Sequence, residues 1–352
     1  METYYSIGVM SGTSLDGLDI AYIKFTVDKS INFEILSSDT FEYTDSVKEV
    51  LKQAENFDTV RFLRFHNRVG EYIGEEINRF IKVNNINKID FIASHGHTIF
   101  HQPENKFTFQ IGSPAYITAV TGITTIADFR SLDIALKGQG APLVPIGDKI
   151  LFKEYDYCLN LGGFANISTD INTVRIAYDI CPVNIVINEF AKQKNKEYDN
   201  EGNMGKVGHI NDVLLSALNS LNFYHKTWPK SLGKEWVLKE FNNTLNSVNL
   251  DFNDKLRTVY EHFSMQIANA INTGNGKNIL ITGGGAYNDF LINLIKQKTN
   301  KKLIIPDSEI IEFKEALIFG FLGLLRYLGK ENTLASVTGA IKNSSGGGIY
   351  KL

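Results

Sequence analysis

YYSIGVMSGTSLDGLDIAYIKF, Tyr4 to Phe25, sets two apolar, β-rich runs on either side of a turn built from Ser, Gly, Thr, Ser, Asp and Gly. The composition is that of a hairpin. A hairpin connection needs only about two turn residues, whereas this one spends two glycines, three hydroxyls and a carboxylate between Ser11 and Gly17. Further along, YDYCLNLGGFANISTDINTVRIAYDICPVNIVINEFA (Tyr155 to Ala191) repeats the plan: strand, polar turn, strand, strand, helix. Residues 4–43 and 155–194 thus read as two β-β-β-α units about 150 positions apart, which predicts two similar domains.

The rest of the chain agrees with an α/β class. Strand-like runs fall at 4–10, 18–26, 32–43, 88–94, 123–128, 155–161, 164–168, 174–179, 278–282 and 302–305. Helical periodicity is expected over 45–56, 59–84, 184–194, 209–221, 254–272, 287–298 and 312–329. A length of 352 residues makes two domains the default. Charged residues at 21%, apolar residues at 43% and a net charge of −3 without a basic block offer no electrostatic attraction for nucleic acid or an anionic membrane. No basic stretch followed by an apolar run opens the sequence, so a signal peptide is not expected, and a cytoplasmic location is. Cys158 and Cys181 are too few for a disulfide framework.

Three glycine-rich turns carry the chemistry. The first holds Gly12, Thr13, Ser14, Leu15, Asp16, Gly17, Leu18 and Asp19; the second, LNLGGFANIS (Leu159 to Ser168), holds Gly162, Gly163 and Asn166. The third, ILITGGGAYNDFLINLI (Ile279 to Ile295), puts Gly283, Gly284 and Gly285 between a strand and a helix. Such turns let backbone N–H groups approach a phosphate. Thr13 and Ser14 would add hydroxyl donors, and Asp16 or Asp19 would hold magnesium through water. Together the turns point to a nucleotide held between two domains. Neither a P-loop signature nor the dinucleotide fingerprint is present.

Outside the turns, Asp179 in RIAYDICPVN (Arg175 to Asn184) ends a strand and precedes Pro182. It reads equally as a general base in a ligand crevice and as a cap of the next helix. In FIASHGHTIFHQP (Phe91 to Pro103), Ser94 and His95 end another strand. In ADFRSLDIALKGQGAPLVP (Ala127 to Pro145), Asp128 and Arg130 precede a Gly138–Gly140 turn expected to be flexible. Ser94, His95 and Arg130 are candidate hydrogen-bonding groups for a substrate. Zinc ligation by His95, His97 and His101 is disfavoured, since the spacing matches no standard site. Glu315 opens an apolar helix, where the helix dipole favours it.

GVMSGTSLDGLD, SHGHT, QIGSPAYITAVTGITTIADFRSLDIALKGQGAPLVP, NLGGFANIS, GGGAYN, EALIFGFLG and SVTGA occur in the order found in the anhydro-N-acetylmuramic acid kinase family, which this chain resembles from Gly8 to about Ala340. The resemblance implies the sugar kinase, actin and chaperone ATPase superfamily. It implies an α/β fold of two duplicated actin-like ATPase (ribonuclease H-like) domains flanking a nucleotide cleft. The boundaries read as 1–130 plus 333–352 for the N-terminal domain and 131–332 for the C-terminal one. It further implies a cell-wall recycling reaction in which ATP, Mg2+, water and 1,6-anhydro-N-acetylmuramic acid give N-acetylmuramic acid 6-phosphate and ADP. On this resemblance Gly12 to Asp19 is a phosphate-binding turn, Gly283 to Gly285 lie by the adenine nucleotide, Asp179 is the catalytic base, Glu315 could reach the active site, and the protein is a homodimer. Two departures stand out. The family continues its aspartate as Thr-Gly-Pro, a small residue and Asn, where this chain has Ile180, Cys181, Pro182, Val183 and Asn184. Its HGQT is here HGHT, with His97 in place of an amide. A kinase with a different sugar substrate and a catalytically silent nucleotide-binding homologue remain the alternatives.

Overall fold

In the computed structural model, which describes residues 1–12 and 15–352, the chain divides into two compact units. One is Met1–Leu151 with Phe313–Leu352, and the other is Phe152–Glu312. These divisions lie at 151/152 and 312/313, where the sequence reading places 130/131 and 332/333.

In the first unit, β1 (Glu2–Ser11), β2 (Gly17–Val27) and β3 (Ile31–Glu42) form an antiparallel meander. β4 (Phe91–Gln102) runs parallel to β1, and β6 (Thr125–Ala127) runs parallel to β4. β5 (Phe107–Ile111) folds back on the second half of β4, and β12 (Gly348–Tyr350) closes the far edge beside β6. In the second unit β7 (Tyr157–Leu161), β8 (Phe164–Ile171) and β9 (Val174–Pro182) repeat the meander. β10 (Asn278–Thr282) and β11 (Lys302–Ile304) add parallel strands on the β7 side. The spatial orders are β6-β4-β1-β2-β3 and β11-β10-β7-β8-β9. The duplication expected from the two β-β-β-α stretches is therefore present as one strand order used twice, the arrangement expected of ribonuclease H-like domains.

Burial follows position in the sheet. β1 is central and its residues Ser6 to Val9 are all buried, as a strand covered on both faces requires. The edge strand β3 instead alternates half-buried and exposed residues along Ile31–Ser37. The helix Thr59–Val83 is capped by Asp58, whose carboxylate accepts from Arg61 N–H at 2.9 Å, and it packs Ile73, Ile77 and Phe80 into the first core. In the second unit Asp251 caps the helix Phe252–Asn272, which buries Leu256, Val259, Phe263, Ile267 and Ile271 at helical spacing.

Two motif glycines serve packing. Gly8 lies mid-strand in β1, where a Cβ would overlap the Ala316 carbonyl oxygen; Gly320 faces back, its Cβ position 2.6 Å from Ile23 Cδ1. EALIFGFLG and the start of the first glycine motif are thus the two sides of one close helix-on-sheet contact. No helix among the described residues is long and apolar enough to cross a membrane.

Two strands and several helices escape the periodicity. β5 and β12 are only five and three residues long, too short for a strand period to show, and exist through their pairing with β4 and β6. The helix Pro114–Thr121 is one whose signals were legible: Pro at its start and Gly122 at φ 72° at its end.

Candidate active site

The first turn joins β1 to β2. Thr13 and Ser14 lie outside the described residues. Leu15 adopts φ 63° and its N–H donates to Gly12 O at 3.2 Å. Asp16 is exposed. Gly17 already belongs to β2, and its missing side chain answers to β3, since a Cβ would lie 2.7 Å from Phe41 O and 2.8 Å from Thr40 Cγ2. Leu18 is fully buried in the first core, which leaves only its backbone for any ligand. Asp19 is half-buried and accepts a 2.7 Å hydrogen bond from Thr40 Oγ1.

In the second unit the parallel strands β7 and β10 end side by side, with Asn160 opposite Thr282. The Gly162–Gly163 turn that follows β7 is pinned to the helix Asn184–Lys192. Gly163 O accepts from Val183 N–H at 2.8 Å and Ile185 N–H at 3.2 Å, and Gly162 O accepts from Asn184 N–H at 3.3 Å. After β10, Gly283 takes φ 80°, a backbone region that suits glycine. Gly285 is packed tightly, its Cβ position 2.7 Å from Leu161 Cβ. Gly163 and Gly284 differ from it. Both are exposed, and a Cβ would meet nothing nearer than Ile185 Cβ at 3.9 Å and Asn184 Nδ2 at 3.8 Å respectively. Neither has positive φ, so protein packing asks for glycine at neither position.

Gly284 borders a cavity of about 760 Å³, lined also by Asn184, Tyr198, Asp199, Tyr287 and Asn288. Its walls are tied together by a network that the sequence reading missed. Buried Asp199 accepts from Met204 N–H (2.8 Å), Gly205 N–H (3.1 Å) and the Tyr260 hydroxyl (2.9 Å). Tyr260 in turn accepts from Asn288 Nδ2 at 2.8 Å. Asn288 Oδ1 caps the helix Asp289–Lys296 through Leu291 N–H at 3.1 Å. The one signal in the sequence was an aspartate leading a glycine-spaced loop, YDNEGNMGKVG (Tyr198 to Gly208).

Asp179 stands opposite Asn166 in the β8–β9 ladder. Ile180 is skipped in the register, so the strand bulges immediately after the carboxylate. Asp179 Oδ2 accepts a 2.8 Å bond from Leu232 N–H, and its own N–H donates to Lys230 O at 3.1 Å. Burial raises its pKa above the ordinary carboxylate value, with the Leu232 bond acting in the opposite direction. The helix that follows has Val183 at its N-cap and no side-chain cap. The capping reading of Asp179 is thereby excluded.

In the first unit β4 carries Ser94 and His95. Ser94 is fully buried and its Oγ accepts from Gly96 N–H at 3.3 Å. His95 has both ring nitrogens engaged: Nε2 accepts from Arg130 Nε at 3.0 Å, and Nδ1 donates to Gly96 O at 3.0 Å. Burial, with the Arg130 charge beside it, holds the ring neutral, its pKa well below the usual histidine value. Arg130 also donates from Nη1 to Gly140 O at 2.6 Å. The structure thus brings His95 and Arg130 together, with Arg130 as the partner that keeps donor capacity. His97 is buried too, against Ser11 Oγ at 2.9 Å, its pKa pushed down to about 4 by burial.

The model of the family described as anhydro-N-acetylmuramic acid kinase matches residues 4–352. The chain belongs to the anhydro-N-acetylmuramic acid kinase family. It is 33% identical to the enzyme of that name from Mannheimia succiniciproducens over 99% of both chains, and 32% identical to that from Sulfurimonas denitrificans over 100% of both. Among solved structures, component A of the Acidaminococcus fermentans (R)-2-hydroxyglutaryl-CoA dehydratase aligns over 89% of this chain and 95% of its own, at 11% identity and a TM-score of 0.46.

Within this family the departures after Asp179 acquire a structural account. Ile180, Cys181 and Val183 are all buried and belong to the second core. The altered residues point their side chains into packing, while the backbone bonds from Val183 to Ile185 hold the glycine turn in place.

Proposed function

We propose that this protein uses ATP and water to convert 1,6-anhydro-N-acetylmuramic acid into N-acetylmuramic acid 6-phosphate and ADP. The observation that carries the proposal is Asp179. In a member of this kinase family it is a half-buried carboxylate, released from helix capping and held by Leu232 N–H beside Asn166.

Asp179 takes a proton from water as the water oxygen attacks C1. The C1–O6 bond breaks, O6 takes the γ-phosphoryl group, and ADP leaves. A base with a raised pKa is better matched to this task at neutral pH than an ordinary aspartate. Phosphoryl transfer itself asks mainly for positioning and charge neutralisation. The cavity beside Gly284 fits an adenine nucleotide in size, and the bare backbone at Gly163 and Gly284 admits close approach by its phosphates. Gly12 to Asp19 would contact phosphate through backbone groups. Arg130 would hydrogen-bond the sugar, with His95 supporting it and Ser94 bracing the strand.

Magnesium supplies charge neutralisation when bound with the nucleotide. The described residues hold no group of three or more His, Cys, Asp or Glu side chains placed for a metal. Exposed Asp16 and half-buried Asp19 suit an ion whose ligands are mostly water and phosphate oxygens. Glu315 is exposed at its helix and lies close enough to Arg130 to favour the guanidinium's charge, which allows it to share in holding the sugar.

The test is mass spectrometry of the sugar after incubation with ATP, magnesium and 1,6-anhydro-N-acetylmuramic acid in ¹⁸O-labelled water. A phosphorylated sugar labelled at C1, and lost in Asp179→Asn, is the expected result. Nucleotide binding without this product would overturn the proposed substrate.

A further inference from the structure

We propose that Asp133 is the positioning residue that aims the Arg130 guanidinium at the sugar. The inference rests on the reading of Arg130 as a sugar-binding group and adds what sets its direction.

Asp133 sits in the helical turn Ser131–Ala135, in the first unit, with no exposed surface. Burying a carboxylate is costly unless its oxygens are hydrogen-bonded. Both are: Oδ2 accepts from Gly140 N–H at 2.7 Å and Oδ1 from the Thr338 hydroxyl at 2.7 Å. The Asp133 carbonyl accepts from Gly138 N–H at 2.9 Å, and Gln139 N–H donates to Thr338 O at 2.8 Å. The Lys137–Gly140 turn, expected from its glycines to be flexible, is thereby tied down at residue after residue.

Gly140 is where this anchoring reaches Arg130. Its N–H is held by Asp133 and its carbonyl accepts Arg130 Nη1 at 2.6 Å. The opposite side of the guanidinium is fixed by Nε to His95 Nε2, and His95 by Gly96 O. Among the described residues nothing bonds to Nη2, so the edge directed away from both anchors keeps its donors for a ligand. The Asp133 charge acts on Arg130 as well. Burial pulls the guanidinium pKa down to about 10, while Glu315 and Asp133 favour the charged form. One buried carboxylate therefore sets the position of Arg130 through Gly140 and supports its charge directly.

A double-mutant cycle on kcat/KM for the sugar tests this, with wild type, Arg130→Ala, Asp133→Asn and the double variant. The asparagine keeps the size, removes the charge and leaves one acceptor oxygen for two donors. Arg130→Ala is expected to lower kcat/KM by about 10- to 100-fold, as loss of a charged hydrogen bond does. Asp133→Asn is expected to lower it by about 10-fold, mainly through KM for the sugar, with KM for ATP unchanged. The double variant should be no worse than Arg130→Ala alone. If the two factors multiply, Asp133 does not act through Arg130 and the inference is overturned while the reading of Arg130 stands. If Arg130→Ala keeps wild-type kcat/KM, the reading of Arg130 fails and the inference with it. Should Asp133→Asn not fold, Thr338→Val replaces it in the cycle. It removes one of the two restraints on the carboxylate and should show a smaller loss with the same non-additivity; multiplying factors there would overturn the inference equally.

Discussion

The Asp179 carboxylate accepts a 2.8 Å hydrogen bond from the backbone N–H of Leu232, 53 positions further along the chain. Nothing local to Asp179 demands this partner. The bond orients one oxygen and stabilises the ionised form, while burial works against ionisation and prevails. The outcome is a carboxylate that holds a proton more readily than an ordinary aspartate.

Asp179→Asn is accordingly expected to lower kcat by about 10²–10⁴-fold, the usual contribution of a general base, with ATP binding retained. The base must be ionised to work, so kcat/KM should fall as the pH drops through the raised pKa. That acid limb should lie above the ordinary aspartate value of about 3.9. A pH profile whose acid limb persists unchanged in the residual activity of Asp179→Asn would assign the limb to another group.

Gly284 and Gly285 are adjacent and should respond in opposite ways to alanine. Gly285→Ala drives a methyl into Leu161 and should destabilise the fold by about 1–3 kcal/mol, as overpacking does. Gly284→Ala meets open space within the protein and should melt like wild type, yet raise KM for ATP by obstructing a phosphate. Thermal melts and nucleotide titrations on the pair separate the two duties. Equal ATP affinity in Gly284→Ala and wild type would remove that glycine from the nucleotide site.

Asp199 joins the loop around Met204 and Gly205 to Tyr260, and through it to Asn288, around the cavity. Asp199→Asn removes an acceptor and the charge from a set of bonds worth about 1.5–3 kcal/mol each when charged. KM for ATP should rise by about 10-fold or more while KM for the sugar stays put. A rise in both together would point to a general loosening of the second unit.

His262 is fully buried, its Nδ1 against Asn219 Oδ1 at 2.7 Å, and burial pulls its pKa down to about 3. An unfolded chain takes that proton near pH 6.5. Between about 6.5 and 3 the unfolded state therefore binds more protons, and stability falls as the pH drops, by up to about 1.4 kcal/mol per pH unit. His97, with its pKa near 4, adds a slope of the same sign. In urea melts between pH 6 and 4, His262→Phe should flatten the dependence by one proton; an unchanged slope would mean the ring is protonated in the folded state.

Much of the architecture was legible because its causes are local. The long amphipathic helix over 59–83, the apolar strand runs and the glycine-rich breaks between them depend on neighbours within a few residues. The repeated strand-turn-strand-strand-helix order needed only that local reading to reveal the duplication. The helix Pro114–Thr121 shows a local signal that was present and passed over.

The sequence by itself determined two α/β units of one design, the places of their glycine turns, and Asp179 as a residue of uncommon interest, because these follow from periodicity, backbone conformation and residue chemistry within short windows. Only the tertiary structure decided what surrounds each residue. It gave Gly8 and Gly17 to packing while Gly284 stays open, buried Leu18, and turned His95 into a support for Arg130. It also bound Asp133 to Thr338 across 205 positions and Asp179 to Leu232. The physical reason is that a hydrogen bond or a steric contact depends on distance in space, and distant parts of a chain are brought together by packing that no short window contains.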